Sequence, residues 1–147
     1  MEPQEIVALA ISKEAEAEAL YSETAGRIDD LAARVLLKEL AAEEAQHRRL
    51  LEGLDPAKIR EFQVPRARDA MIAEHLQARP LTGRSSLQDV MVYAMQREQK
   101  AGQFYETMAA SVRNRDLAQL LLNLAAMEMT HKARLEEFYE EVFLSED

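Results

Sequence analysis

One stretch decides the fold of this 147-residue chain: Leu37-Lys38-Glu39-Leu40-Ala41-Ala42-Glu43-Glu44-Ala45-Gln46-His47. A near copy follows 84 positions later, Leu121-Leu122-Asn123-Leu124-Ala125-Ala126-Met127-Glu128-Met129-Thr130-His131. In both copies, leucine and alanine recur at the spacing of one helix face, and that face also carries a glutamate and a histidine three residues apart. Because a lone carboxylate is costly to bury in an apolar stripe, the pattern predicts a compensating cation or proton beside each glutamate.

The repeat extends upstream of both copies. Glu14 and Tyr21 have counterparts in Glu98 and Tyr105 at the same offset of 84. The chain therefore repeats one helical hairpin, with a connection of about residues 54–85 between the two copies. Two hairpins joined by a long crossover predict a single all-α domain over residues 1–147, a four-helix bundle of ferritin-like connectivity.

Local signals place the helix ends. Capping residues and an early proline predict helix starts at Pro3, at Asp29 or Asp30, at Ser86 and at Asn114. The first, second and fourth helices are expected to end near residues 25, 53 and 142. Two short helical stretches are expected within the connection, near residues 57–62 and 66–78.

Composition excludes several classes of function. The formal net charge of −9 disfavours nucleic acid as a partner. The absence of cysteine excludes disulfides, thiolate zinc, iron–sulfur clusters and a rubredoxin-type iron site. No signal peptide and no uninterrupted apolar span is apparent, so we expect a cytoplasmic protein with no membrane partner.

The spacing of the glutamates predicts where they meet. Glu14 and Glu44 are symmetric about position 29, and Glu98 and Glu128 about position 113. Each glutamate lies about 15 residues from its turn, or roughly 22 Å along the bundle. All four carboxylates are thus expected at one level, together with His47 and His131.

This set of side chains suits metal ions. Four carboxylates carry a formal charge of −4, which two divalent cations balance. Oxygen and imidazole ligands favour iron or manganese, and iron is our first choice because it allows redox chemistry with dioxygen or hydrogen peroxide. Tyr21 and Tyr105 either donate hydrogen bonds to the ligating carboxylates or are ordinary packed tyrosines.

Two other interpretations remain open at this point. The glutamates of a metal-free structural bundle would be protonated or would form ion pairs, with Arg48 and Lys132 as the nearest cations in sequence. Alternatively, the protein stores or delivers iron without catalytic turnover.

The sequence resembles the rubrerythrin family of ferritin-like di-iron proteins in two runs and in the two Glu-x-x-His elements. The runs are Lys13-Glu14-Ala15-Glu16-Ala17-Glu18-Ala19-Leu20-Tyr21 and Glu98-Gln99-Lys100-Ala101-Gly102-Gln103-Phe104-Tyr105. The resemblance covers nearly the whole chain except the connection and the tail. The chain lacks the C-terminal rubredoxin domain of typical rubrerythrins, and it has Ala101 and His131 where they use carboxylates. Its symmetric ligand set is closer to the ferroxidase centre of bacterioferritin.

The resemblance implies a cofactor of two iron ions, with manganese or zinc as substitutes. It implies that Glu44 and Glu128 bridge the irons, that Glu14 and Glu98 are terminal ligands, and that His47 and His131 each bind one iron. The implied activity is that of a peroxidase or ferroxidase, with hydrogen peroxide or dioxygen as oxidant and a separate electron donor protein. The family resemblance also leads us to expect a homodimer.

Overall fold

The computed structural model describes residues 3–60 and 85–144, and within these residues it consists of helices and short turns. These two ranges contain four long helices and one short one: α1 (Pro3–Arg27), α2 (Leu31–Glu52), α3 (Pro56–Ile59), α4 (Leu87–Ala110) and α5 (Arg115–Phe143). The predicted all-α bundle is confirmed.

Side-chain caps fix where the helices begin. The Asp30 carboxylate accepts a hydrogen bond from the backbone N–H of Ala33 at 2.8 Å, so Asp30 rather than Asp29 is the cap of α2. Ser86 Oγ and Asn114 Oδ1 accept in the same way, at 3.1 and 3.0 Å, at the starts of α4 and α5. Each cap satisfies a backbone N–H that the first helical turn leaves without a partner.

The connection between the hairpins is described only at its two ends. α3 occupies its first part, with Asp55 as cap and Pro56 in the first turn, and it packs against α1. The helix expected near residues 57–62 thus begins one residue earlier and ends at Ile59 within the described range. The stretch expected near 66–78 lies outside the described residues.

The bundle buries two separate apolar clusters. The first core cluster lies near the start of α1 and the end of α2, and includes Ile6, Ala10, Leu51, Ile59, Ala101, Phe104, Tyr105, Met108, Leu117, Leu121 and Leu124. The second core cluster lies near the opposite ends of these helices, and includes Ala17, Tyr21, Ala25, Ala33, Leu37, Leu40, Met91, Ala94, Leu135 and Phe138. Residues related by the repeat lie in opposite clusters, as Leu37 and Leu121 do.

The placement of repeat-related residues in opposite clusters defines the directions of the helices. The turn between α1 and α2 lies at the end of the bundle that holds the second core cluster, and the turn between α4 and α5 lies at the other end. α2 ends beside the first cluster and α4 begins beside the second, so α2 and α4 run parallel. The ligand candidates, near the middle of all four long helices, fall between the clusters.

α4 and α5 approach each other closely beside this middle layer. A Cβ atom added to Gly102 would lie 3.0 Å from Met129 Sδ. Glycine therefore provides room for Met129, the residue next to Glu128, to pack against α4. None of the described helices combines the length and apolar character needed to cross a membrane.

Candidate metal centre

A layer of acidic and histidine side chains separates the two core clusters. All six sequence-predicted ligands lie in it, namely Glu14, Glu44, His47, Glu98, Glu128 and His131, and none is more than 1% exposed. Each long helix contributes at least one of them. The structure thus brings together the complete set at one level of the bundle, as the spacing about the two turns predicts.

The six side chains form two overlapping groups. Glu14, Glu44, His47 and Glu128 offer four ligand atoms within 4.8 Å of one another. The second group consists of Glu44, Glu98, Glu128 and His131, again within 4.8 Å. Because Glu44 and Glu128 belong to both groups, the arrangement matches two adjacent cation sites that share two carboxylates.

The histidine Nδ1 atoms face carboxylate oxygens at short range. His47 Nδ1 lies 2.7 Å from Glu128 Oε1, and His131 Nδ1 lies 2.8 Å from Glu44 Oε1. Neither pair has hydrogen-bond geometry, and all four atoms are buried without a hydrogen-bond partner. Ligand atoms that converge in this way, without a proton directed between them, are suited to coordinate a common cation.

The two tyrosines cross from one hairpin to the other. The Tyr21 hydroxyl donates to Glu98 Oε1 at 2.7 Å, and the Tyr105 hydroxyl donates to Glu14 Oε1 at 2.5 Å. Each tyrosine therefore orients the upstream glutamate of the opposite repeat. Burial, together with the nearby carboxylates, raises the pKa of both phenols, so both remain protonated donors.

Arg97 enters the same layer, which the sequence analysis did not predict. Its Nη1 lies 2.7 Å from Glu128 Oε2, 2.8 Å from Glu44 Oε2 and 3.3 Å from Glu98 Oε1. Its Nη2 lies 3.3 Å from Glu14 Oε1. One guanidinium thus contacts all four carboxylates.

The cations named from sequence lie elsewhere. Arg48 pairs with Glu18 and Glu52, both at 3.2 Å. Lys132 donates to Gln99 at 2.9 Å and pairs with Glu136 at 3.2 Å. These contacts place neither residue on a buried glutamate, because the positions next to His47 and His131 point away from the layer, as helix geometry predicts.

A signal for Arg97 was present in the sequence. In α4 the buried residues Val90, Ala94, Ala101, Phe104 and Met108 recur at alternating steps of four and three, and position 97 falls in this series. An arginine on a buried stripe is expected only beside anions.

The four carboxyl groups of the layer fall into two kinds according to the direction in which their pKa is shifted. Burial alone would raise the pKa of Glu14 and of Glu98, but the positive charge of Arg97 and the proximity of a histidine and a glutamate outweigh it. The pKa of Glu98 falls to about 2, and that of Glu14 is lowered further. Both upstream glutamates are therefore ionised at neutral pH.

The two shared glutamates behave in the opposite way. Burial raises the pKa of Glu44 and Glu128 well above the usual value, and the neighbouring carboxylates add to this effect despite Arg97. Burial lowers the pKa of His131, but the adjacent Glu44 and Glu98 carboxylates raise it to about 9. Without metal, the layer thus holds protons that a bound cation would have to displace.

A surface network supports one side of the layer. Glu43 is 36% exposed at its side chain and accepts a hydrogen bond from Arg134 at 3.0 Å. Its Oε2 lies 3.5 Å from His131 Nε2. Arg134 also pairs with Glu39. A carboxylate on the far side of an imidazole ring is a common feature around metal-binding histidines.

The residues present fit a pair of divalent cations. Their donors are carboxylate oxygens and imidazole nitrogens, their ligand atoms converge, and several of those atoms are buried without a hydrogen-bond partner. Fold and layer together define the class: a ferritin-like helical bundle with a carboxylate and histidine cluster at its centre.

Comparison with known proteins agrees with this class. The rubrerythrin family model matches residues 89–147, which include α5 and nearly all of α4. The predicted family resemblance is confirmed. No curated protein sequence shows a significant match.

Solved structures show the fold over almost the whole chain. A hypothetical protein from Pyrococcus furiosus matches with a TM-score of 0.71 and 23% identity, over 95% of this chain and 89% of the other. A protein from Thermotoga maritima, provisionally assigned as a ferritin-like diiron-carboxylate protein, matches with a TM-score of 0.70 and 21% identity, over 96% of each chain.

Proposed function

We propose that this protein is a non-haem di-iron oxidoreductase that reacts with hydrogen peroxide or dioxygen. One observation carries the proposal: two ligand groups, each with three glutamates and one histidine, overlap at Glu44 and Glu128 in a buried layer. The family match to residues 89–147 and the provisional diiron assignment of the Thermotoga protein support it.

The side chains of the layer have distinct roles in this proposal. Glu44 and Glu128 would bridge two metal ions, while Glu14 with His47, and Glu98 with His131, would complete the two sites. Tyr21 and Tyr105 would hold Glu98 and Glu14 in position through their hydrogen bonds. The two core clusters exclude water from both sides, which strengthens the electrostatic interactions inside the layer.

When bound, the two irons would supply the electrons that reduce the oxidant, and a separate electron donor protein would restore them. We also infer a homodimer in the cytoplasm; the mass in solution tests the first of these inferences. The sequence favours iron, while manganese or zinc would fit the same donor atoms.

Substitution of the shared glutamates tests the site. Glu44→Ala and Glu128→Ala are expected to abolish stoichiometric binding of two irons per chain after anaerobic loading, because each removes a ligand from both groups. Glu44→Gln and Glu128→Gln preserve the shape of the protonated side chain and should also lose binding. Glu136→Ala removes an exposed acid that pairs with Lys132, and should bind two irons normally.

Normal binding of two irons by both alanine variants would contradict the site. The reaction is tested by mixing the anaerobically loaded protein separately with peroxide and with dioxygen and recording the absorption of oxidised iron. Absence of oxidation by either reagent would contradict the oxidoreductase proposal. Accumulation of more than two irons per chain after aerobic ferrous addition would instead indicate iron storage.

A further inference from the structure

Arg97 occupies the part of the layer where cations are expected to bind. Its guanidinium contacts Glu14, Glu44, Glu98 and Glu128 at 2.7 to 3.3 Å, and its side chain is only 9% exposed. No other lysine or arginine is placed among these carboxylates by the ion pairs of the described residues. The positive charge that compensates the buried acids is therefore supplied by the chain itself.

The hydrogen bonds of Arg97 are poorly distributed. Nη1 serves three carboxylate oxygens, on Glu44, Glu98 and Glu128, although it carries two hydrogens. Nη2 has no partner with hydrogen-bond geometry. An arginine that only stabilises a buried ion pair usually contacts a carboxylate through two parallel bonds. The arrangement here is that of a cation inserted among ligands directed at a common centre.

Metal ions and Arg97 would use the same carboxyl groups. The guanidinium uses Oε2 of both Glu44 and Glu128, the two carboxylates that belong to both ligand groups. A divalent ion within a few ångströms of the guanidinium would also be strongly repelled in a buried site. Occupation of both metal sites thus requires Arg97 to move.

Arg97 has a way out of the layer. Its residue is only partly buried, and one turn earlier Tyr93 is also partly exposed. Burial raises the pKa of the Tyr93 phenol, the charge of Arg97 opposes this rise, and the charge of Glu16 on α1 adds to it, so both charges lie within electrostatic range of this partly exposed side chain. Rotation of a long side chain allows this movement without a change in the helix.

The repeat supplies a comparison. Lys13 stands 84 positions before Arg97, next to Glu14 as Arg97 is next to Glu98. Lys13 Nζ donates to Glu16 at 3.1 Å. The two hairpins therefore have a cation at the same position, but the ion pairs of the described residues bring only Arg97 into contact with the four carboxylates.

From these contacts we infer that Arg97 is an internal competitor of the metal ions: it fills the carboxylate cluster in the metal-free protein and moves out when metal binds. The residue thereby lowers metal affinity and keeps the metal-free bundle folded. This inference rests on the proposed metal site and adds a residue that determines its affinity.

Arg97→Gln and the matched control Lys13→Gln test the inference with Mn²⁺, which binds without oxidation. In anaerobic calorimetric titrations, Arg97→Gln is expected to bind Mn²⁺ on the order of tenfold tighter than the wild type, because no internal cation has to be displaced. Its metal-free form should unfold at a lower temperature than the wild type. Lys13→Gln should change neither quantity by a comparable amount.

Several outcomes would overturn the inference. Equal or weaker Mn²⁺ binding by Arg97→Gln would show that Arg97 does not compete, while leaving the metal site itself intact. Absence of Mn²⁺ and iron binding by both the wild type and the variant would overturn the proposed function as well. The two failures are therefore distinguishable.

A second measurement covers the case in which Arg97→Gln does not fold. In the wild type, the side-chain N–H signals of ¹⁵N-labelled arginines can be followed while diamagnetic Zn²⁺ is added. The Arg97 signal, assigned by its absence from Arg97→Lys, is expected to be protected from solvent exchange without metal and to lose that protection with Zn²⁺. Continued protection at full Zn²⁺ occupancy would overturn the inference.

Discussion

Tyr21 and Tyr105 donate to equivalent glutamates, but the two acceptors differ in their other partners. Glu98 Oε1 accepts from Arg97 as well as from Tyr21. Among the hydrogen bonds of the described residues, Glu14 Oε1 accepts only from Tyr105. Loss of the Tyr105 hydroxyl should therefore lower the free energy of unfolding more than loss of the Tyr21 hydroxyl.

Tyr105→Phe is expected to lower the free energy of unfolding of the metal-free protein by about 1–3 kcal/mol, since it leaves a buried carboxylate oxygen without its donor. Tyr21→Phe should cost less. Urea unfolding measures both, and Tyr139→Phe, which removes an exposed hydrogen bond to Gln88, is the control with little expected effect. A larger loss for Tyr21→Phe than for Tyr105→Phe would contradict this assignment.

Sequence reasoning at the residue scale identified the acids and histidines but not the cation among them. Glu and His repeat at a fixed offset, and their burial follows from the stripe on which they lie. Lys13 and Arg97 occupy equivalent positions, and their different contacts depend on side-chain rotation and on neighbours from other helices. The buried stripe of α4 marks position 97, but local spacing does not tell which of the two cations enters the layer.

At the scale of helices, Asn114 shows how a local signal fixes an element. Its Oδ1 accepts the backbone N–H of Leu117 at 3.0 Å, and α5 begins at the next residue, Arg115. Asn114→Ala is expected to lower the free energy of unfolding by about 1 kcal/mol, because one N–H of the first turn loses its partner. The melting temperature should fall by about 2–4 °C.

Asn123→Ala is the matched control for this cap. Asn123 lies within α5 and accepts an exposed hydrogen bond from Gln119 at 2.8 Å. Alanine has the higher helix propensity, so this variant should be neutral or slightly more stable. Equal destabilisation by both substitutions in thermal unfolding would show that Asn114 does not act as a cap.

Helix starts were predictable because capping involves residues three positions apart. Helix ends were less certain: α1 continues to Arg27, two residues past its expected end, because Gly26 does not adopt the positive φ of a helix-terminating glycine. The prediction of the site used only the helical spacing of its residues. The later end of α1 therefore did not affect it.

At the scale of the whole molecule, the protons held by the layer couple metal binding to pH. The raised pKa of His131, about 9, contributes stability to the metal-free protein that is present below its unfolded pKa and is lost as pH rises through 9. The raised pKa values of Glu44 and Glu128 act in the same direction. Glu14 and Glu98, with lowered pKa values, stay ionised above pH 5 and add no dependence there.

Mn²⁺ is therefore expected to raise the melting temperature more at pH 8 than at pH 6, since binding displaces protons from these three groups. Apparent affinity should rise about tenfold per pH unit for each proton released. Differential scanning calorimetry with and without Mn²⁺, and titrations in buffers of different ionisation enthalpy, measure the effect. A pH-independent Mn²⁺ affinity would contradict the assigned protonation states.

The ferritin-like connectivity was predictable because the repeat offset and the turn midpoints together require two hairpins with a crossover. The contacts between hairpins were not, since they depend on the rotation of each helix about its own axis.

Residues that are related by the repeat lie in opposite core clusters, and this arrangement implies a symmetry of the bundle. A pseudo-two-fold axis passes through the ligand layer, perpendicular to the helices. It relates Leu37 to Leu121 and Glu44 to Glu128. Two identical copies of either hairpin, docked about such an axis, would present four glutamates and two histidines at one level. The centre can thus be described as the isologous interface of a symmetric pair that a single polypeptide has fused, and Arg97 as the point where the fused halves have ceased to be equivalent.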